Sequence, residues 1–239
     1  MTTRTHDGSA GDVDHGATST GYAFFRRPDE RIARFIAGSL GEARSVLHVG
    51  AGAGSYENVV GAVTAVGPSE DLPFADGAFD AAMTLFSVHQ WSDVTAGLRE
   101  MRRVTHGPVT VLTCDPALVR DFWLYAYAPE VLDTEARRFP PVAEIAAALG
   151  GTATVEAVPV PLDCTDGFNE AYYGRPELLL DPAARQACSA WSFVDDRTRE
   201  RFDRTLRHDL VSGAWDARFG HLRAQATHRG SLVVVRALP

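Results

Sequence analysis

The sequence predicts an α/β protein built on a doubly wound, mostly parallel sheet. Three observations carry that prediction. Val46, Leu47 and Val49 read as a short buried strand that runs straight into a Gly50-x-Gly52-x-Gly54 turn. Apolar runs at 79–86, 109–113 and 232–235 alternate with stretches of helical period, the alternation expected of parallel strands joined by crossover helices. With 239 residues, 45% of them hydrophobic, the chain can bury one full core, and one domain with insertions fits it better than two. The glycines suit a strand-to-helix turn because they tolerate positive φ and lack a Cβ, so a ligand can lie against the backbone at the strand end.

In order along the chain, residues 1–20 are polar and rich in Gly, Ser, Thr and Asp, and are expected to form a disordered tail. Tyr22, Phe24 and Phe25 precede a helix whose first turn holds Pro28 and whose apolar face carries Ile32, Phe35, Ile36 and Leu40; it is expected to pack beside the glycine strand. Val63–Val66 reads as a second strand, ended by Gly67-Pro68-Ser69. A loop over 70–78 leads to the apolar run Phe79–Phe86, which suits a strand buried on both faces, and Ser87–Trp91 lies just past its end. Ser92 is placed to cap a helix carrying Val94, Leu98, Met101 and Val104 and ended by Gly107, before a strand at 109–113. Residues 117–139 are rich in aromatics; a helix at 141–149 and a strand at 154–160 follow. From Asp163 to about Gly230 the pattern is mainly helical, with one helix opening at Asp181-Pro182 and another carrying Phe202, Leu206 and Leu210, until Leu232–Val235 closes the sheet.

The formal charge of −8, with arginine supplying all 23 cations, gives no long-range attraction for nucleic acid or anionic lipid and favours small neutral or cationic ligands. Cys114, Cys164 and Cys188 are odd in number and widely spaced, which argues for reduced thiols in the cytoplasm and against a disulfide framework or a zinc site; no metal is expected. No apolar run approaches the roughly 18 residues of a membrane span, and the N-terminus has no signal-peptide core. A soluble cytoplasmic protein with no membrane partner is expected.

The glycine turn, the phrase EDLPFADGAFDAAMTLFSVHQW and the later REMRRVTHGPVTVLTCDP together resemble a class I S-adenosylmethionine-dependent methyltransferase of the small-molecule, ubiquinone-biosynthesis-methylase-like subgroup, over roughly residues 22–239. The resemblance implies a Rossmann-like methyltransferase fold whose last strand, Leu232–Val235, runs antiparallel. It implies a single domain over 21–239 with a helical lid at about 163–230, joined by the N-terminal helix over the carboxyl ends of the strands. S-adenosyl-L-methionine is the implied cofactor and a small metabolite the implied substrate, methylated on an O, N or C nucleophile. Gly50, Gly52 and Gly54 match the cofactor turn, and Phe86, Ser87 and His89 match the rim after the family's fourth strand.

Two departures stand out. His48 replaces the acidic residue usual in the glycine motif, and Gly67 stands where a glutamate gripping the ribose is expected. The chain also runs from Val63–Ser69 directly into Glu70–Pro73, omitting on the order of 20 residues of helix and third strand. Glu70 is the acid placed to replace the missing one, and weak cofactor binding is expected. The departures motivate an alternative reading: a binding or scaffold module without turnover, as a homodimer or paired with a related methyltransferase.

His89, at the end of a central strand, is the candidate general base, beside the plainer reading that His-Gln-Trp shapes the pocket. Tyr22, with Trp123, Tyr125, Tyr127, Tyr172, Tyr173 and Trp191, is suited either to lining the site and holding a sulfonium by cation-π contact or to packing, and packing is favoured for most. Arg26 and Arg27 are matched to a carboxylate but also to a solvated helix start. Asp163–Phe168 reads first as a turn and second as a polar cluster facing substrate.

Overall fold

The structure, a computed structural model, describes residues 19–50, 56, 63–65 and 69–239, with side chains from residue 22 onward and excluding 63–65. Its strands are β1 (Val46–Val49), β2 (Val63–Ala65), β3 (Ala81–Leu85), β4 (Val109–Cys114), β5 (Thr152–Ala157), β6 (Val160–Pro161), β7 (Thr227–His228) and β8 (Leu232–Leu238). The helices are α1 (Ser19–Phe25), α2 (Glu30–Leu40), α3 (Val94–Arg103), α4 (Pro129–Arg138), α5 (Val142–Leu149), α6 (Pro182–Gln186), α7 (Asp196–Ser212) and α8 (Ala214–Phe219), with short 3-10 turns between them.

Among the described residues, six strands form one sheet in the order β2-β1-β3-β4-β8-β5. The first four are mutually parallel, and β8 is antiparallel to both β4 and β5, as the family resemblance implies. Among the described residues β2 pairs with β1 alone, so the sheet ends there with a three-residue edge strand where a third strand would ordinarily follow. β6 and β7 form a separate antiparallel pair.

Every residue of β1, β3 and β4 is buried, which explains their near-continuous apolar runs. Alternation still assigns faces. Leu47, Val49, Val109, Val111 and Val235 meet Leu98 and Met101 of α3 and Ile145 and Leu149 of α5 in one core. Val46, Met83, Leu112 and Val234 meet Ile32 and Ile36 of α2 in the other, which continues into the aromatics of the second half.

Several local expectations shift. α2 opens one residue after Asp29, whose side chain accepts from Arg31 N at 2.9 Å, so Pro28 lies before the cap; a carboxylate satisfies an orphan donor that proline cannot. The helix packs on β4 and β3 in the core that Val46 of β1 shares, and Ser39 Oγ lies 2.9 Å from Thr110 Oγ1. α3 is capped by Asp93, which accepts from Ala96 N, and ends at Arg103, four residues before Gly107. The strand expected at 154–160 breaks after Ala157, and Val160–Pro161 pairs with β7 instead; Pro159, without an N–H, cannot continue the ladder. The 1–20 tail lies outside the described residues but for the opening of α1.

β2 and β3 flank β1 on opposite sides, so the winding reverses between β1 and β3. Open α/β sheets bind ligands outside the carboxyl ends of the strands at such a reversal. Gly50 follows β1 there, and Phe86–Gln90 follows β3. The helical layer over these ends draws on 117–139 as well as 163–230. Its core includes Trp123 edge-on to Trp215 at 5.6 Å and Trp191 edge-on to Phe202 at 4.8 Å. No helix among the described residues is long and apolar enough to cross a membrane.

Candidate active site

The phrase that marks the resemblance is held by a bracket of polar contacts. Asp80 Oδ2 accepts the backbone N–H groups of Arg44 and Ser45 at 2.8 and 2.9 Å, tying the start of β3 to the start of β1. Arg103 donates to the carbonyls of Leu72 and Phe74, Glu100 accepts from Leu72 N, and Phe79 packs edge-on to Phe74 at 4.9 Å. The Leu-Pro-Phe loop and the Arg-Glu-Met-Arg-Arg helix are therefore two halves of one brace at the amino end of β3, and the strand runs from it to its carboxyl end at Leu85.

At that end Phe86 takes φ +53°, a left-handed conformation that is strained for an aromatic residue and clusters at functional sites. Its ring lies 5.1 Å from the Arg26 guanidinium and 5.5 Å from the ring of Phe168. Gly50 takes φ +69°, and a Cβ there would collide with Ser87 Oγ and lie 3.1 Å from Trp91 Nε1. Ser87 is buried with its hydroxyl 2.6 Å from Thr84 Oγ1. β1 thus reaches the crevice as bare backbone, with Ser87 packed beneath it. Gly52, Gly54 and Gly67 lie outside the described residues.

A cavity enclosing about 820 Å³, counted to its open mouth, lies over the ends of β3 and β4. Tyr22, Phe86 and His89 line it, so three predicted site residues from distant segments share one wall. His89 is buried in the turn Val88–Gln90, its ring 4.6 Å from that of Phe139 and its Nε2 3.4 Å from Gln90 Nε2. Gly50 and Ser87 adjoin the same strand ends without lining this cavity.

Glu70 is elsewhere. Its Oε1 accepts from Ser92 Oγ at 2.8 Å and Asp93 N at 2.9 Å, and these contacts keep its carboxyl below the usual range although partial burial opposes them. These two contacts brace the start of α3. Arg26 is paired with Asp166, whose other oxygen accepts from Tyr56 at 3.0 Å, and Arg27 lies over Phe24 at the surface. The Asp163–Phe168 segment is a turn stitched to the N-terminal strip: Gly167 N donates to Phe25 O at 2.7 Å and Thr165 N to Asp29 Oδ2 at 3.2 Å.

Of the other aromatics, Trp123, Tyr127, Tyr172, Tyr173 and Trp191 are buried core, and Tyr125 is exposed. The cysteines are free and buried, and burial pushes the Cys164 thiol up to about 12. No group of His, Cys, Asp or Glu among the described residues is arranged to hold a metal ion.

The cavity also holds polar residues that the sequence reading passed over. Glu135 of α4 accepts from Asn169 Nδ2 at 2.7 Å, and Asn169 Oδ1 accepts from Trp191 Nε1 at 2.9 Å. Burial, followed by the nearby Glu170, pushes the Glu135 carboxyl up to about 7 against the pull of Asn169, Arg138 and Arg26. Glu170 itself is held at the start of β8 by Ser231 N, Ser231 Oγ and Leu232 N. The signal for Glu135 was spacing: it lies in the apolar stripe Leu132–Glu135–Phe139 of an otherwise amphipathic helix.

Comparison with known proteins agrees with this geometry. Residues 52–108 match the methyltransferase domain family. The chain is 37% identical over 83 residues to the uncharacterized protein YafE of Escherichia coli (strain K12), covering 33% of this chain and 40% of that one. It is 45% identical over 49 residues to a demethylmenaquinone methyltransferase of Mycolicibacterium vanbaalenii, covering 20% and 22%. The matched segments thus span less than half the length of these curated relatives. A crystal structure from Anabaena variabilis, of a candidate methyltransferase from an antibiotic biosynthesis pathway, superposes with a TM-score of 0.81 at 23% identity, covering 90% of this chain and 99% of that one. That likeness concerns the fold.

Proposed function

We propose that this chain, which carries a methyltransferase domain on a class I methyltransferase fold, transfers a methyl group from S-adenosyl-L-methionine to an O, N or C nucleophile of a small metabolite. The observation that carries the reading is the cavity at the winding reversal, walled by Tyr22, Phe86 and His89 and adjoining the bare backbone of Gly50. The cofactor's sulfonium supplies an electrophilic methyl group. The chain's residues orient the acceptor and exclude water: Phe86, Phe139 and Phe168 form apolar wall. His89 is the group placed to accept a proton from the acceptor, a role typically worth about 10²- to 10⁴-fold in rate. The buried, free thiols suit work in the reducing cytoplasm.

One observation favours the second reading, a module without turnover: Glu70, the acid expected to grip the ribose, is spent on α3. The two are separated by supplying the purified protein with isotopically labelled S-adenosylmethionine and a small-molecule extract. Labelled product with matching S-adenosylhomocysteine is expected, reduced at least about 10-fold by His89→Ala. Cofactor binding without release of S-adenosylhomocysteine would favour the module, as would co-purification with an intact relative.

A further inference from the structure

Among the described residues the acids of the cavity wall outnumber its arginines. Its acids are Glu135 and Glu170, and its arginine, Arg26, is already neutralised by Asp166. Arg138, the other cation near Glu135, donates to Ser189 Oγ at 2.8 Å and lies 4.8 Å from the Phe193 ring. Glu170 receives three hydrogen bonds from the start of β8, and His228 Nε2 lies 3.8 Å from its Oε1. Glu135 differs: its hydrogen-bond donor among the described residues is Asn169, leaving most of its roughly four acceptor sites unused. Around it stand the apolar side chains of Phe86, Phe122, Leu132, Phe139 and Phe168.

We propose that the cavity binds a small molecule with an apolar, ring-sized body and a protonated amine, the ammonium seated on Glu135 and the body against Phe86, Phe139 and Phe168. Asn169, fixed by Trp191, holds the carboxyl in place and acts as a positioning residue. A cation offsets the acid pair, whereas a neutral ligand adds no counter-charge and an anion adds a third like charge. The overall formal charge of −8 favours the same class of ligand. The proposal rests on the methyltransferase reading only in taking this amine-bearing molecule as the methyl acceptor.

The groups facing Glu135 are Asn169 and Glu170 from the segment after β7's partner strand, Arg138 on its own helix, Arg26 from the N-terminal strip, the Cys114 and Cys188 thiols, and His89 across the cavity. With the carboxyl pushed up to about 7, binding of an ammonium draws it into the ionised form, so affinity rises between pH 6 and pH 8 and the protein releases protons near pH 7.

The test is calorimetric titration of the full chain with 2-phenylethylamine, 2-phenylethanol and phenylacetate, with S-adenosylhomocysteine titrated in parallel. The expected result is amine binding at least about 10-fold tighter than that of the alcohol, the factor of a charge-assisted hydrogen bond, and no detectable carboxylate binding. Glu135→Gln, which keeps an acceptor for Asn169, should remove the preference and the proton release while leaving S-adenosylhomocysteine binding intact. Should that variant not fold, Glu135→Asp must weaken the amine. An amine bound no tighter than the alcohol, or a preference that survives Glu135→Gln, overturns the proposal. Amine binding without S-adenosylhomocysteine binding would overturn the methyltransferase reading and leave the cavity assignment standing.

Discussion

Among the described residues, the sheet continues on one side of β1 for a single three-residue strand, while on the other it runs through four more strands under a layer of helices. Among the described residues the glycine side sets the Gly50 backbone against Ser87, Thr84 and the edge of Trp91. The cavity side is made of aromatics, paired charges and a half-buried carboxyl, brought together from residues 22 to 231. The difference teaches how the two halves are specified. Where a ligand meets bare backbone, a few consecutive residues suffice; where it meets a packed wall, every residue depends on contacts far along the chain.

The largest expected effect tests that dependence on the cavity side. Phe202 is fully buried edge-on to Trp191, which fixes Asn169 and through it Glu135. Phe202→Ala should destabilise the protein by about 3–5 kcal/mol in urea unfolding. It should also loosen the cavity far more than the glycine side. A loss below about 1 kcal/mol would show that the helical layer is not the continuous core described above.

A smaller effect is expected on the glycine side. Gly50→Ala forces a Cβ toward Ser87 Oγ at a positive φ, costing about 1–3 kcal/mol. Ser87→Gly in the same chain should recover part of that cost, since it removes the colliding group, although the backbone strain persists. No recovery would place the whole penalty in φ.

The legibility of these regions follows the same division. The strand, glycines and Leu-Pro-Phe phrase could be read because each is local, and the antiparallel last strand followed from the resemblance they carry. Glu70 was read as a ribose-gripping acid because its partners, Ser92 and Asp93, are more than 20 positions away and nothing nearby announces them. Glu135 went unread because α4 shows ordinary amphipathic spacing, and the residue that turns its carboxyl into a site group, Asn169, lies 34 positions on. Arg26 looked free for a ligand carboxylate until the fold supplied Asp166 from 140 positions away.

The smallest expected effect concerns Glu70. Glu70→Ala removes two hydrogen bonds at the start of α3 and should cost about 1 kcal/mol of stability in the same unfolding measurement. Its affinity for S-adenosylhomocysteine should match that of the wild type. A drop of about 10-fold or more would return Glu70 to the cofactor side.

The central claim is most directly tested by calorimetric titration of the wild-type chain with S-adenosyl-L-methionine and S-adenosylhomocysteine. The account predicts saturable one-to-one binding of both, competitive with each other and weakened by Gly50→Ala more than by Glu135→Gln. Failure of the folded protein to bind either one would contradict it.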